Sequence, residues 1–304
     1  MSILTCLVIV VGCSWVLGNI LSDRWVWSQW FSWIPTLGVL FLFLVVNLLV
    51  IISKSKKRAV LLSTCSVALL IWFSFVENKF FINIEPDQDK GISIAAWTMS
   101  HPKKKVSSMS ANKIVLLDAD ITLLTHGWHV RGEETIKDWL EPKGRKLISG
   151  PFTLLTKFQA IEIRSLIASD GIYISMFVLD TTEKLGKPLI LWAIDLPSSL
   201  LIPRVEIANR TKRLLKKINA PKPDVVMGDF NMTLNSYSIK ALFPNHKDAS
   251  DDGGTGWIAS YPSWFPVYHI DHTLIADWLN ARSYELINPN IGRHRIQSTK
   301  ITTK

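Results

Sequence analysis

The chain has 304 residues, 48% of them hydrophobic, and a formal net charge of +9. That length suits one large domain plus additional segments. So high an apolar share is unusual for a soluble enzyme, and the excess is concentrated in the first 80 or so residues.

Three apolar runs occur there, Ile3–Leu21, Trp33–Ile52 and Ala59–Val76. Each is about long enough to cross a hydrocarbon core at about 1.5 Å per residue. The first lacks the basic start of a cleaved signal peptide, and two more runs follow it, so three retained transmembrane helices are expected. Lys54, Lys56, Lys57 and Arg58 lie between the second and third runs, whereas the first loop carries only Arg24. The excess of basic residues assigns the second loop to the cytoplasm. An integral membrane protein follows, with a cytoplasmic N-terminus and an extracytoplasmic C-terminal domain. Trp25, Trp27, Trp30 and Trp33 surround the first loop, as in an interfacial aromatic belt. Cys6, Cys13 and Cys65 all fall inside the expected spans, so the outer domain has neither a disulfide nor a thiol nucleophile.

The expected organisation is an anchor over residues 1–81, a polar linker over 82–90 containing Glu85 to Lys90, and one domain over 91–304. Strands are expected at Gly91–Trp97, Ile121–Leu124, Phe152–Thr156, Ala160–Ile167, Ile172–Leu179, Leu189–Leu196, Val225–Met227 and His269–Ile275. Amphipathic helices are expected at Glu133–Leu140 and Ile202–Ile218, the second with Ile207, Ala208, Leu214, Leu215 and Ile218 as its apolar stripe. Asp251 to Gly256 reads as a loop, either plain or forming a rim over a site. Strands flanked by helices make a layered α+β domain.

The segment with most chemical content is Pro223 to Asn231, whose end reads Gly228-Asp229-Phe230-Asn231. It reads as a buried strand that delivers Asp229 and Asn231, two residues apart and on one side of an extended chain, to a loop. An Asp and an Asn at such a point either cap a turn or serve a metal, a water nucleophile or a phosphate. A second strand, Tyr268 to Asp277, has Asp271 near its start, and His294 follows near the C-terminus.

The order GDFN, IDHTLIAD and a C-terminal His resembles the endonuclease/exonuclease/phosphatase superfamily, over about Gly91 to Ile301. The resemblance implies a four-layer α/β/β/α sandwich, preceded here by the three transmembrane helices. It implies that Asp229 and Asn231 orient the attacking water and contact the scissile phosphate. It also implies that Asp271 fixes the tautomer and charge of His294, which stabilises developing negative charge.

Several positions depart from the family pattern. Trp97-Thr98 stands where Trp-Asn is usual, leaving Thr98 as a candidate phosphate contact. His126 stands where the family carries its main metal-binding Glu, and Asp195 stands where a His is usual. Arg293 replaces the acid beside the retained His and is a second candidate phosphate contact. Mg²⁺ prefers anionic oxygen ligands. Either metal affinity is therefore weak or lost, or His126, Asp195 and Asp229 hold a cation that accepts imidazole, such as Mn²⁺ or Zn²⁺.

Three spans followed by such a domain are also similar to the teicoplanin-resistance-type membrane phosphatases. The resemblance implies a phosphoesterase acting on a lipid-linked phosphate ester or pyrophosphate. Two alternatives stay open: an external nuclease, and a binding domain that kept the fold without the chemistry. Lys103, Lys104 and Lys105 suit a polynucleotide, anionic headgroups or plain solvation.

Overall fold

The computed structural model describes residues 3–81, 91–100, 103–142 and 144–304. The expected linker over 82–90 lies outside the described residues.

The first quarter of the chain is helical: α1 (Ile3–Leu21), α2 (Val26–Ser32), α3 (Thr36–Ile52) and α4 (Lys56–Ile71), the last continued by a wider π turn over Trp72–Glu77. Two helices, Ile3–Leu21 and Lys56–Glu77, are long and apolar enough to cross a membrane, each with a mean hydropathy of 2.2. The α2 and α3 helices form a pair bent by 63°, which makes a third span if counted as one. Pro35 sits at the N-cap of α3 in extended conformation and ends the preceding turn there.

The remainder forms β1 (Ile92–Thr98), α5 (Ser107–Leu117), β2 (Ile121–Thr125), α6 (Glu134–Leu140), β3 (Arg145–Ser149), β4 (Phe152–Thr156), β5 (Ala160–Ser169) and β6 (Ile172–Leu179). Next come α7 (Thr182–Leu185), β7 (Leu189–Asp195), α8 (Arg204–Lys217), β8 (Val225–Asp229), α9 (Tyr237–Leu242), β9 (His246–Asp248), α10 (Ala249–Gly253), β10 (Asp271–Ala276), β11 (Leu279–Ile287) and β12 (Ile296–Thr303). The strands make two six-stranded sheets, β11-β12-β1-β2-β4-β3 and β5-β6-β7-β8-β10-β9. The expected eight strands thus lie among twelve. The loop expected over Asp251 to Gly256 begins inside α10, packs beside β11 and takes no part in the cleft described below.

Side-chain alternation builds the layers. Along β1, Ile92, Ile94 and Ala96 enter the core between the sheets, while Ala95 and Trp97 face a second core that includes Ala111 and Ile114 of α5 and Ile136 of α6. Along β8, Val225 and Met227 face the first core, while Val226 joins the layer containing Ile207 of α8 and Ile239 of α9. The result is the four-layer sandwich, helices on the outer face of each sheet.

Each sheet contains one parallel central pair, β1 with β2 and β7 with β8. Their C-terminal ends lie level, with Thr98 opposite Thr125 and Asp195 opposite Asp229. The antiparallel strand β10 begins where β8 ends, so Asp271 is paired with Asp229. Chain direction and register therefore carry five strand termini to one end of the sandwich.

Gly228 sits in this convergence with φ +137°, and a Cβ there would lie 2.1 Å from the carbonyl oxygen of Ile194. Both the backbone angle and the contact with β7 require glycine. Gly228→Ala is expected to destabilise the protein by roughly 2–4 kcal/mol, read as a lower melting temperature in detergent. An unchanged melting temperature would show that β7 and β8 can separate without cost.

Candidate active site

The convergence forms an open cleft of about 610 Å³ whose lining includes Thr98, His126, Asp195, Asp229, Asn231, Arg293 and His294. Every polar side chain singled out by the motifs except Asp271 lines it, and Asp271 lies directly behind, 1% exposed.

Asp229 ends β8. Asn231 is not carried by a continued extended strand, as the sequence spacing suggested. It adopts φ 50°, and its backbone N–H donates to Asp229 Oδ1 at 3.0 Å. Its side-chain Nδ2 donates to the carbonyl of Leu196 at 2.9 Å. The turn, not strand alternation, brings the two side chains to the same cleft.

Asp271 is the hub behind it. Thr98 Oγ1 donates to Asp271 Oδ1 at 2.6 Å, and His294 Nδ1 donates to Oδ2 at 2.8 Å. The hydroxyl proton of Thr98 is thus spent on Asp271, so the expected phosphate contact from that proton is replaced by support of the carboxylate. Burial pushes Asp271 up, but the charge and hydrogen bond of His294, with Ser260 and Thr98, bring it below the usual carboxylate range. Burial pushes His294 down, and Asp271, with Asp229 and Asp195 behind it, more than reverses this, holding the imidazole at about 9. His294 is therefore a cation at neutral pH.

Asp229 goes the other way. Burial first, and then the charges of Asp271 and Asp195, raise it well above the usual carboxylate range, against the opposing charge of His294. A carboxyl placed this way gains its charge when a cation arrives beside it.

Across the cleft, His126 Nε2 pairs with Asp195 Oδ2 at 2.9 Å, bridging the two sheets. His126 has φ 58° immediately after β2, and its backbone N–H donates to Pro151. Relative to the family pattern, acid and imidazole have exchanged sides. Arg293 is exposed at the rim.

Asp229, Asp271 and His294 present ligand atoms within 4.8 Å of one another. The expected set of Asp229, Asp195 and His126 is not among the groups of described residues that meet that distance, and His126 and Asp195 are paired with each other.

A second buried cluster lies beyond the cleft. His272 Nδ1 contacts Asp248 Oδ2 at 2.7 Å and its Nε2 contacts the carbonyl of Met232 at 2.9 Å, with His269 Nε2 3.7 Å from the same carboxylate. Despite its burial, Asp248 is held far below the usual range by His269 and His272. It fastens β9 to β10 and fixes the strand that presents Asp271. The spacing of His269 and His272 around Asp271 was visible in the sequence without a role attached. Trp33, Tyr261 and Tyr268 also line the cleft and carried no motif.

The profile of the Endonuclease/Exonuclease/phosphatase family matches residues 109–294, more than half of the chain. The chain belongs to this family, whose members include hydrolases acting on phosphoric esters. No curated protein sequence matches significantly. Among solved structures, the human Nocturnin catalytic domain with bound sulfate is similar with a TM-score of 0.56 at 14% identity, covering 72% of this chain and 96% of that one. The mannosyl-6-phosphatase Bt3783 of Bacteroides thetaiotaomicron gives 0.53 at 14% identity, covering 69% and 99%. A humanized D. rerio TDP2 gives 0.53 at 15% identity, covering 70% and 99%. At these identities the likeness establishes the shared fold.

One titration follows. Histidine NMR of the full-length protein should show an imidazole titrating near 9. Asp271→Asn should return it to or below about 6.5, since burial remains and the paired charge is gone. Because the folded pKa is raised, the stabilisation from this pair is full below about 6.5 and is lost as pH rises through the folded value. Persistence of the high pKa in Asp271→Asn would rule out Asp271 as its source.

Proposed function

We propose that the chain is a membrane-anchored phosphoesterase that hydrolyses a phosphate ester or pyrophosphate on a lipid-linked substrate. The observation that carries this reading is the convergence of Asp229, Asn231, Arg293 and a cationic His294 on one cleft beside an apolar helical anchor.

Asp229 orients the attacking water and accepts its proton when charged. The side-chain amide of Asn231, held on Leu196, positions a phosphate oxygen. His294 donates through Nε2 to an oxygen whose negative charge grows during displacement, while its Nδ1 stays on Asp271. Arg293 supplies a further cation at the rim. A divalent metal beside Asp229 would supply Lewis-acid charge on the phosphate.

Counting the bent α2–α3 pair as one span, three spans put the N-terminus in the cytoplasm and the domain outside, because Lys54, Lys56, Lys57 and Arg58 follow α3. Anchoring keeps the site at the surface where a lipid-linked phosphate is concentrated. The polynucleotide reading has less support. Among the described residues no lysine lines the cleft, and Lys103, Lys104 and Lys105 lie outside it.

The test is phosphate release from a polyprenyl pyrophosphate by detergent-purified protein, with Mg²⁺, Mn²⁺ or Zn²⁺ supplied in turn. Asp229→Ala and His294→Gln should each lower turnover by at least about 100-fold. Restoring the acid with His126→Glu should shift the preference toward Mg²⁺. Absence of turnover with every metal, on this substrate and on a simple phosphodiester, would sink the enzymatic reading and leave a phosphate-binding domain.

A further inference from the structure

The short helix α2 is inverted relative to a soluble surface helix. Its polar residues Ser28 and Gln29 are buried, whereas Trp25, Val26, Trp27 and Trp30 are 44%, 52%, 53% and 48% exposed. Apolar exposure opposite a buried polar face fits an apolar surrounding, because tryptophan is favoured at a lipid–water interface.

That buried polar face grips the cleft. Gln29 Nε2 donates to the carbonyl of Leu200 at 2.9 Å, and Gln29 Oε1 accepts from the backbone N–H of Arg204 at 2.7 Å. Arg204, 1% exposed, donates to the carbonyls of Pro197, Ser198 and Ser199, and its guanidinium lies 5.7 Å from the Trp33 ring. The loop from β7 to α8, which lines the cleft at Leu196, Pro197, Ser198 and Leu200, is therefore clamped to the anchor. At its tip, Leu201 is 84% and Ile202 40% exposed.

The segment between Tyr261 and Tyr268, two residues that line the cleft, has a similar construction. Phe73, in the π turn that continues α4, packs edge-on against Trp257 at 5.7 Å, and Trp257 Nε1 donates to the carbonyl of Pro266. The tip beside it exposes Trp264 at 79% and Phe265 at 48%. Between the two segments the wall is aromatic, with Trp33 and Tyr268 rings 5.2 Å apart.

We propose that the mouth of the cleft is seated in the membrane. The tips Leu201–Ile202 and Trp264–Phe265, with the aromatic face of α2, enter the adjacent leaflet, and a phosphate is reached from the lipid side past Trp33. Both tips are pinned to the helices that carry the lipid-facing surface, so the apolar rim continues the anchor; this makes lipid its occupant. The inference rests on the membrane-anchored reading given above and adds the orientation of the domain on the bilayer.

Depth measurement by spin labelling tests it without any substrate. Full-length protein with Cys6→Ser, Cys13→Ser and Cys65→Ser would carry one nitroxide at a time, through Leu201→Cys, Trp264→Cys, Leu48→Cys on α3, or Glu183→Cys at the far end of the sandwich. After reconstitution in phosphatidylcholine/phosphatidylglycerol vesicles, labels at 201 and 264 should show oxygen access and several-fold lower nickel-chelate access than the label at 183. A label at 48 should lie deeper still. Nickel access at 201 and 264 equal to that at 183, with 48 buried in lipid, overturns the seated cleft alone. Full nickel access at 48 overturns the membrane reading and this inference together. Exclusion of both oxygen and nickel at 201 and 264 means that protein covers the rim, either a second copy or another chain, and also overturns it.

Discussion

The buried carboxylate of Asp271 accepts hydrogen bonds from the hydroxyl of Thr98 and the imidazolium of His294, two groups that arrive from the other sheet. Asp271 belongs to β10 in one sheet, Thr98 ends β1 in the other, and His294 stands just before β12 beside it. One charged group therefore ties the sheets together where the catalytic end must stay narrow. Removing one partner of such a pair costs about 3–5 kcal/mol, because an uncompensated charge is left inside. The same contact keeps His294 cationic, so geometry and electrostatics at this end come from one interaction.

Around that hub, charge is distributed unevenly. His294 and Asp271 form a settled ion pair, whereas Asp229, next to Asp271 in register, resists ionisation. A neutral Asp229 is a poor proton acceptor; a charged one is a good one. The cleft thus couples its basicity to the arrival of positive charge. The second cluster, in which His272 is held by both Asp248 and the carbonyl of Met232, stiffens the strand on which Asp271 rides.

Much of this was legible in the sequence because it depends on continuous apolar runs and on short motifs. The strands carrying Asp195, Asp229 and Asp271 are hydrophobic on both faces, as central strands must be. Less legible were β12 and α5. In β12, Gln297 is 1% exposed and polar, yet its side-chain oxygen accepts from Thr273 and Tyr284, so burial there follows from hydrogen bonds that hydropathy does not report. The α5 segment begins with serines and drew no assignment from the sequence; Ala111 and Ile114 bury its inner face against the sheet. The docking of the N-terminal helices onto the sandwich was also hidden. Asp23, to which the sequence attached no role, is 3% exposed and accepts from Ser236 and from the backbone N–H of Ser238. At Asn231 a turn was one of the open readings, but the left-handed backbone that makes it is invisible to strand periodicity.

The pair formed by His126 and Asp195 has a historical consequence. Its partners lie on different sheets and far apart in the chain, yet they meet at 2.9 Å. Starting from an acid at 126 and an imidazole at 195, the pattern the family resemblance implies, a single replacement at either position yields two facing carboxyls or two facing imidazoles. Both intermediates lose the attraction, and the two-acid form sets like charges against each other beside Asp229. A single change at either position would thus cost the link that this pair makes between the sheets at the mouth of the cleft.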